Sequence, residues 1–267
     1  MRFSASLVLG LVIVSFASST HALEALCGLV VPAGSIAVLT SDLNCTDTPI
    51  AIALEANATL DLQGFTLTVG SGFGVLCRHR ACTVMSSATG PGVLEGTGFG
   101  SFGVWPNGLF DDHPPIRKMV VDNLVLRNFQ NGVGGVPWAK TFLSRLTISG
   151  CVGSGIVGGN LVLLDVTVTG SGGVLDPDGG EGIVAMKIRG ENVVVTDNTD
   201  DGIFAFKSVT LRGLTATGNG NDGVDARQVK LADSVVTGNL VDIRSYRRPR
   251  LKETRCDRSN WGVCALD

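Results

Sequence analysis

The chain has 267 residues, of which 36 are Gly and only 17% are charged, with a formal net charge of −3. That balance excludes a polyanion binder working through overall positive charge, so no nucleic-acid role is expected. Gly at nearly twice its usual share of about 7% points to a backbone that must turn sharply again and again.

The first residues read MRFSASLVLGLVIVSFASSTHA. Arg2 precedes an apolar stretch from Leu7 to Ala17, and Thr20 to Ala22 supplies a cleavage site, the pattern of a secretory signal peptide over residues 1–22. The apolar stretch falls short of the roughly 20 residues that span a bilayer, and no later segment is longer. A single domain over residues 23–267 is therefore expected in the periplasm or outside the cell, with a monomer as its simplest state. Seven Cys in an exported chain can oxidise. Their spacing favours the short loops Cys27–Cys45, Cys77–Cys82 and Cys256–Cys264, which leaves Cys151 over.

From Asn128 onward the sequence repeats itself. Gly followed by Val or Ile stands at Gly132, Gly155, Gly182, Gly202 and Gly223, at spacings of 23, 27, 20 and 21 residues. Four residues before each Gly are Asn128, Cys151, Asp178, Asn198 and Asn219. Between these units lie β-branched alternating runs such as LVLLDVTVT (161–169) and ENVVVT (191–196), which read as strands. Such a coil cannot bury its own apolar face, whereas coils stacked at about 4.8 Å can. Ile156, Ile183, Ile203 and Val224 should then line the interior. Asn198, Asn219 and Asn128 should form a hydrogen-bonded amide ladder, with Cys151 a buried thiol in the same register.

The repeat length, the N-x-x-x-G-I unit and the Asn ladder resemble the right-handed parallel β-helix superfamily, the pectin-lyase-like fold, of the exported bacterial type. The segment AIALEANATLDLQGFTLTVGSGFGVLC (51–77) resembles the N-terminal coils of such proteins. The resemblance implies an all-β solenoid with coils of roughly 20–23 residues. One such scaffold carries many activities, so a polysaccharide or cell-envelope glycan partner has to be read from the outward residues. Asn198-Thr199-Asp200 resembles the N-T-D unit of polygalacturonases, and Asn221-Asp222 stands where their paired acids follow. Their G-H-G and R-I-K units have no counterpart here.

The position before each Gly runs Asn131, Ser154, Glu181, Asp201, Asp222. Three successive carboxylates about 5 Å apart repel by roughly 1 kcal/mol in water and 3 to 4 kcal/mol at an effective dielectric near 20. They must be solvated, neutralised by a cation or partly protonated. Glu181, Asp201 and Asp222 are accordingly candidate calcium ligands, and solvated corners are the bland alternative. Alternation from the inward Ile and Val places Phe204 and Phe206 outward, with Met186 beside them. Aromatic faces next to Lys187, Lys207 and Arg227 suit sugar rings bearing carboxylates. Phe204, Phe206, Met186 and Lys187 are thus candidate substrate contacts, and Asp201, Asp222, Asp225, Lys207 and Arg227 candidate catalytic groups. Either the loop Ser171–Gly180 covers the two rings or they line an open groove. The basic run from Arg244 to Arg258, closed by Cys256 and Cys264, reads as a C-terminal cap over about 244–267.

The expected function is binding or processing of an acidic polysaccharide, as a lyase, epimerase or hydrolase. A non-catalytic envelope or matrix protein is the competing reading.

Overall fold

The computed structural model describes residues 22–107, 116–173 and 179–264. The expected leader lies outside them except for Ala22, as does Asp178.

The chain is a right-handed parallel β-helix. Every paired strand is parallel to its neighbour, and the 18 strands form one continuous network wound into three faces. One inward column shows how the winding works. Leu29, Ile52, Val75, Val104, Val133, Ile156, Ile183, Ile203, Val224 and Ile243 are successive register partners along the first sheet. All but Leu29 are fully buried. Aliphatic columns of the second sheet (Leu143, Leu163, Leu211, Leu231) and the third (Leu126, Ile148, Val168, Val195) meet this one at the axis. Among the described residues no helix is long and apolar enough to cross a membrane.

Each coil crosses its three faces almost without a break, so Ile183–Thr196 and Ile203–Thr217 are single extended runs bent at two points. Between the second and third sheets the bend is one residue in left-handed conformation, occupied coil after coil by Asn123, Arg145, Asp165, Asn192, Gly213, Asp233 and Glu253. Asn, Asp and Gly tolerate that conformation, while Arg and Glu adopt it at a cost.

The turn from the third sheet back to the first holds the amide ladder. Asn198 Nδ2 donates to Asn219 Oδ1 at 2.8 Å, and Asn219 Nδ2 donates to Asn239 Oδ1 at 2.9 Å. Asn198 Oδ1 in turn accepts the Ser171 N–H at 3.0 Å. Cys151 is buried and free, with its thiol pushed up to about 12 by burial. Asn128 is not part of the ladder. It is exposed, with φ of 60°, in register with Gly150 and Gly170, and Phe129 takes the inward place beside Cys151. The fixed four-residue offset fails there because that turn is one residue shorter. The same shortening hides Asn239, whose coil ends in Asp242 instead of Gly.

That replacement explains the Gly column. A Cβ on Gly202 would lie 2.6 Å from Asn219 Nδ2, and one on Gly223 would lie 2.6 Å from Asn239 Nδ2, so Gly makes room for the next coil's amide. Asp242 is in register with Gly223, and no further ladder Asn follows it. Its carboxylate therefore fits, and it closes the ladder by accepting Asn239 Nδ2 at 3.0 Å and the Asp257 and Arg258 N–H groups at 2.7 and 2.8 Å.

The three expected disulfides are formed. Val241–Ser245 and Arg250–Cys256 continue the first and then the second and third sheets, so part of the basic run is itself a coil. Residues 257–264 then fold across its end, where Ile243 bridges Ser259 and the Trp261 indole donates to the Ser245 carbonyl at 2.7 Å.

Candidate functional site

Most of the outward residues proposed from the sequence gather at the C-terminal end of the first sheet, and the register explains why. Phe204 is in register with Asp225, and Asp225 with Arg244. Just beyond Ala205 the strand carries an extra residue, since Ala205 pairs with Ala185 and Ala226 while Ser208 pairs with Lys187 and Gln228. This is a β-bulge, which bends the strand and re-aims side chains. It sets Phe206 outward with 58% of its surface exposed. The Phe206 ring meets Phe204 edge to face, centroids 4.8 Å apart. Together with Ala205, Asp225, Arg227, Tyr246 and Arg247, the two rings line a cleft of about 510 Å³.

Behind the cleft lies a knot of acids. Carboxylate oxygens of Asp201, Asp222 and Asp225 all lie within 4.8 Å of one another. Asp201 and Asp222 are 6% and 1% exposed, and Asp225 reaches from them to the cleft. Asp201 Oδ1 accepts the Asp222 N–H at 2.9 Å. Burial, reinforced by repulsion from Asp222, Asp200 and Asp225, pushes the Asp201 carboxyl up to about 7. Asp225 is raised too, by burial and then by Asp222, with Arg244 pulling the other way, and its Oδ1 is buried without a hydrogen-bond partner. Asp222 is held by Arg244 in a two-pronged ion pair, with Nε on Oδ2 and Nη2 on Oδ1.

Two of the three ways to relieve stacked carboxylates are therefore at work: a guanidinium neutralises Asp222, and a carboxyl raised to about 7 leaves Asp201 partly protonated near neutral pH. The converging set differs from the expected calcium ligands. Glu181 is turned away to accept the Ser154 hydroxyl at 2.9 Å, and Asp225 takes its place. Calcium takes six to eight oxygens. Here Arg244 engages both Asp222 oxygens and a backbone N–H engages one Asp201 oxygen, so the donor set fits a cation poorly.

Of the other sequence candidates, Arg227 lines the cleft, whereas Lys207 is exposed on the bulge without lining it. Met186 is half-buried and stays out of the cleft. Lys187 lies beyond the bulge on the second sheet, where it lines a separate hollow with Lys140 and Arg189. The loop offered as a cover for the rings contains residues 174–178, outside the described set, while its ends at Gly172 and Gly180 crowd the Thr199 hydroxyl.

Arg244, Tyr246 and Arg247 were missed as site residues. Their signal is a register match: Ile243-Arg244-Ser245-Tyr246 repeats the frame of Ile203-Phe204-Ala205-Phe206, an aliphatic, an outward residue, a small residue and an aromatic. The match is masked because Asp242 replaces the Gly that marks the coils of Gly132, Gly155, Gly182, Gly202 and Gly223.

Neither a protein-family model nor a curated protein matches the chain. Among solved structures, the chain is similar to the A-module of the mannuronan C-5 epimerase AlgE4 of Azotobacter vinelandii. The identity is 14% and the TM-score 0.45, over 86% of this chain and 79% of that one. It is also similar to the enzymatically active domain of tailspike protein 2 of bacteriophage CBA120, at 9% identity and TM-score 0.48, over 86% of this chain and 38% of that one. The β-helix assignment stands on the coil-by-coil strand pairing itself.

Proposed function

We propose that the protein binds a glycan in the Phe204–Phe206 cleft and processes it by proton transfer through Asp225, with Asp201 behind it. One observation carries this reading: an exposed aromatic pair walls the same cleft as a carboxylate of raised pKa and two cations, Arg227 and Arg247. Aromatic faces stack on the apolar faces of pyranose rings, and the charged groups orient the polar substituents. A group that exchanges protons near the working pH is the chemical requirement for general acid–base catalysis.

The roles divide by environment. Asp222 is fixed by Arg244 and serves to hold charge near its neighbours. Asp201 is too enclosed to meet a substrate, yet its proton is close enough to tune Asp225. The separation of these acids leaves no room for the interposed water of an inverting hydrolase, whose carboxyls stand about 6.5 to 9.5 Å apart. Abstraction of the proton α to a uronate carboxyl suits the site better, with Asp225 as base and Arg227 or Arg247 facing the developing enolate.

The test incubates the exported protein with linear polyuronates and neutral glycans. It follows the ultraviolet absorbance of unsaturated products, new reducing ends, and solvent deuterium entering the polymer. Lyase or epimerase chemistry gives the first or the third signal, and Asp225→Asn abolishes it. Retention without turnover would leave a binding protein, and neither retention nor turnover on any polymer would leave the non-catalytic envelope role.

A further inference from the structure

The outer face of the second sheet carries a feature the cleft does not use. Six exposed cations, Lys118, Lys140, Lys187, Arg189, Lys230 and Arg250, stand in two neighbouring outward columns of that sheet. The positions between them are neutral, namely Asn160, Ser208 and Gln228 in one column and Val162 and Thr210 in the other. No acid interrupts either column from Lys118 to Arg250, and none of the six cations is ion-paired among the described residues. In a chain whose net charge is −3, such segregation concentrates positive potential along one line. Lys118 and Lys140 both lie over the Phe142 ring, 5.4 and 4.6 Å from its centroid, which holds two ammonium groups at the far end.

The line is continuous with the cleft. Arg247 borders both the cleft and a small basic hollow, and Lys230 and Arg250 border both that hollow and a long groove of about 680 Å³. Arg189 and Thr210 then join the groove to the hollow that contains Lys140 and Lys187. From the coil of Lys118 to that of Arg250 there are six inter-strand steps, about 29 Å along the axis.

We propose that this face is a lengthwise track for a linear polyanionic glycan, which runs along the cations and reaches the cleft past Arg247. A compact anion would touch one or two of these charges, whereas an extended chain with an acidic group on each sugar meets all of them. The proposal rests on the glycan reading of the cleft and adds the charge and direction of the polymer.

Binding of a linear polyuronate, dextran sulfate, neutral dextran and duplex DNA would be measured across salt concentrations. The proteins compared are the wild type, Phe206→Ala, and the triple variants Lys187→Glu/Arg189→Glu/Lys230→Glu and Lys187→Ser/Arg189→Thr/Lys230→Thr. The second triple variant uses side chains like those that Ser208 and Thr210 already place in these columns, so it preserves folding if charge reversal does not. The track predicts acidic-glycan binding that falls about a hundredfold between about 50 and 200 mM salt. It also predicts affinity that rises with chain length up to the track's span, and at least tenfold weaker binding in either triple variant. Salt-independent binding, or binding unchanged in both triple variants, overturns it. If Phe206→Ala abolishes binding and the triple variants do not, the cleft stands and the track falls. If the triple variants lose binding and Phe206→Ala does not, the track stands alone. Tighter binding of duplex DNA than of the acidic glycans at equal salt overturns the choice of occupant.

Discussion

The same turn of the β-helix holds two polar columns of opposite character, three residues apart in sequence. In the ladder column Asn198, Asn219 and Asn239 are buried and pass hydrogen bonds from coil to coil, ending on the carboxylate of Asp242. In the acid column Asp201 and Asp222 are equally buried, but their charges face each other and Asp225, leaving one proton held back and one oxygen without a partner. A satisfied column stabilises the stack, while an unsatisfied one stores free energy that chemistry can use. Burial alone does not separate structure from function here; the fate of each lone pair does.

Removing the end of the ladder should have the largest effect. Asp242→Ala leaves the backbone N–H groups of Asn239, Asp257 and Arg258 without their acceptor at a partly buried turn, while Asn239 Nδ2 keeps the carbonyls of Ala216 and Thr237. At roughly 1 to 3 kcal/mol for each orphaned donor, and some rescue by water, the expected loss is about 4 to 5 kcal/mol. The midpoint of denaturant unfolding reads it.

The acid column should respond in the opposite direction. An acid whose pKa rises on folding stabilises fully below its unfolded value, and that contribution is lost as pH rises through the folded value. For Asp201 the window runs from about 4 to about 7. Wild-type stability should therefore decline across that interval. Asp201→Asn, which keeps an acceptor for the Asp222 N–H, should flatten the decline. The variant is expected to be more stable than wild type by about 4 kcal/mol at pH 8 and equal to it below pH 4. Paired unfolding curves at several pH values check this, and a variant less stable at every pH would place Asp201 in the structural class with Asp242.

Arg244 ties the acid column down. Its removal leaves Asp222, which is 1% exposed, without a counter-charge. Arg244→Ala should cost about 2 kcal/mol, near the low end for a buried pair because the guanidinium is itself 44% exposed. Most of that loss should return in the double variant with Asp222→Asn, and a thermodynamic cycle over the four proteins measures the coupling.

The fold was largely legible because its signal is additive. Each coil repeats β-branched alternation, and Gly182, Gly202 and Gly223 are each forced by the neighbouring coil's amide, so an error in one coil does not disturb the next. Turn length was not legible, since inserting or deleting a residue in an exposed turn leaves the buried columns unchanged; hence Asn128 was placed in the ladder and Asn239 was passed over. In the site, Asp201, Asp222, Phe204 and Phe206 followed from register. Arg244 and Tyr246 did not, because the marker Gly gives way to Asp242 where the stack ends. The convergence of Asp225 in place of Glu181 depends on which way each side chain turns at its corner, and a one-dimensional repeat carries no record of that.

A third corner of the same coils, between the second and third sheets, lies away from both buried columns, and its polar residues are mostly exposed. Gly213 and Glu253 occupy this bend at φ of 65° and 48°. Left-handed conformation costs an ordinary L-residue about 1 to 2 kcal/mol and Gly almost nothing. Glu253→Gly should therefore raise stability by about 1 kcal/mol despite the greater freedom of Gly in the unfolded chain, whereas Gly213→Ala should lower it by about as much. Gly213→Ala leaves the buried columns of Asn and Asp untouched, so its effect should be independent of pH between about 4 and 8 and additive with Asp201→Asn, whereas Glu253→Gly also removes a side-chain partner of Asp233. A pH-dependent effect at Gly213 would mean that corner geometry, and not side-chain chemistry, sets the balance within the acid column.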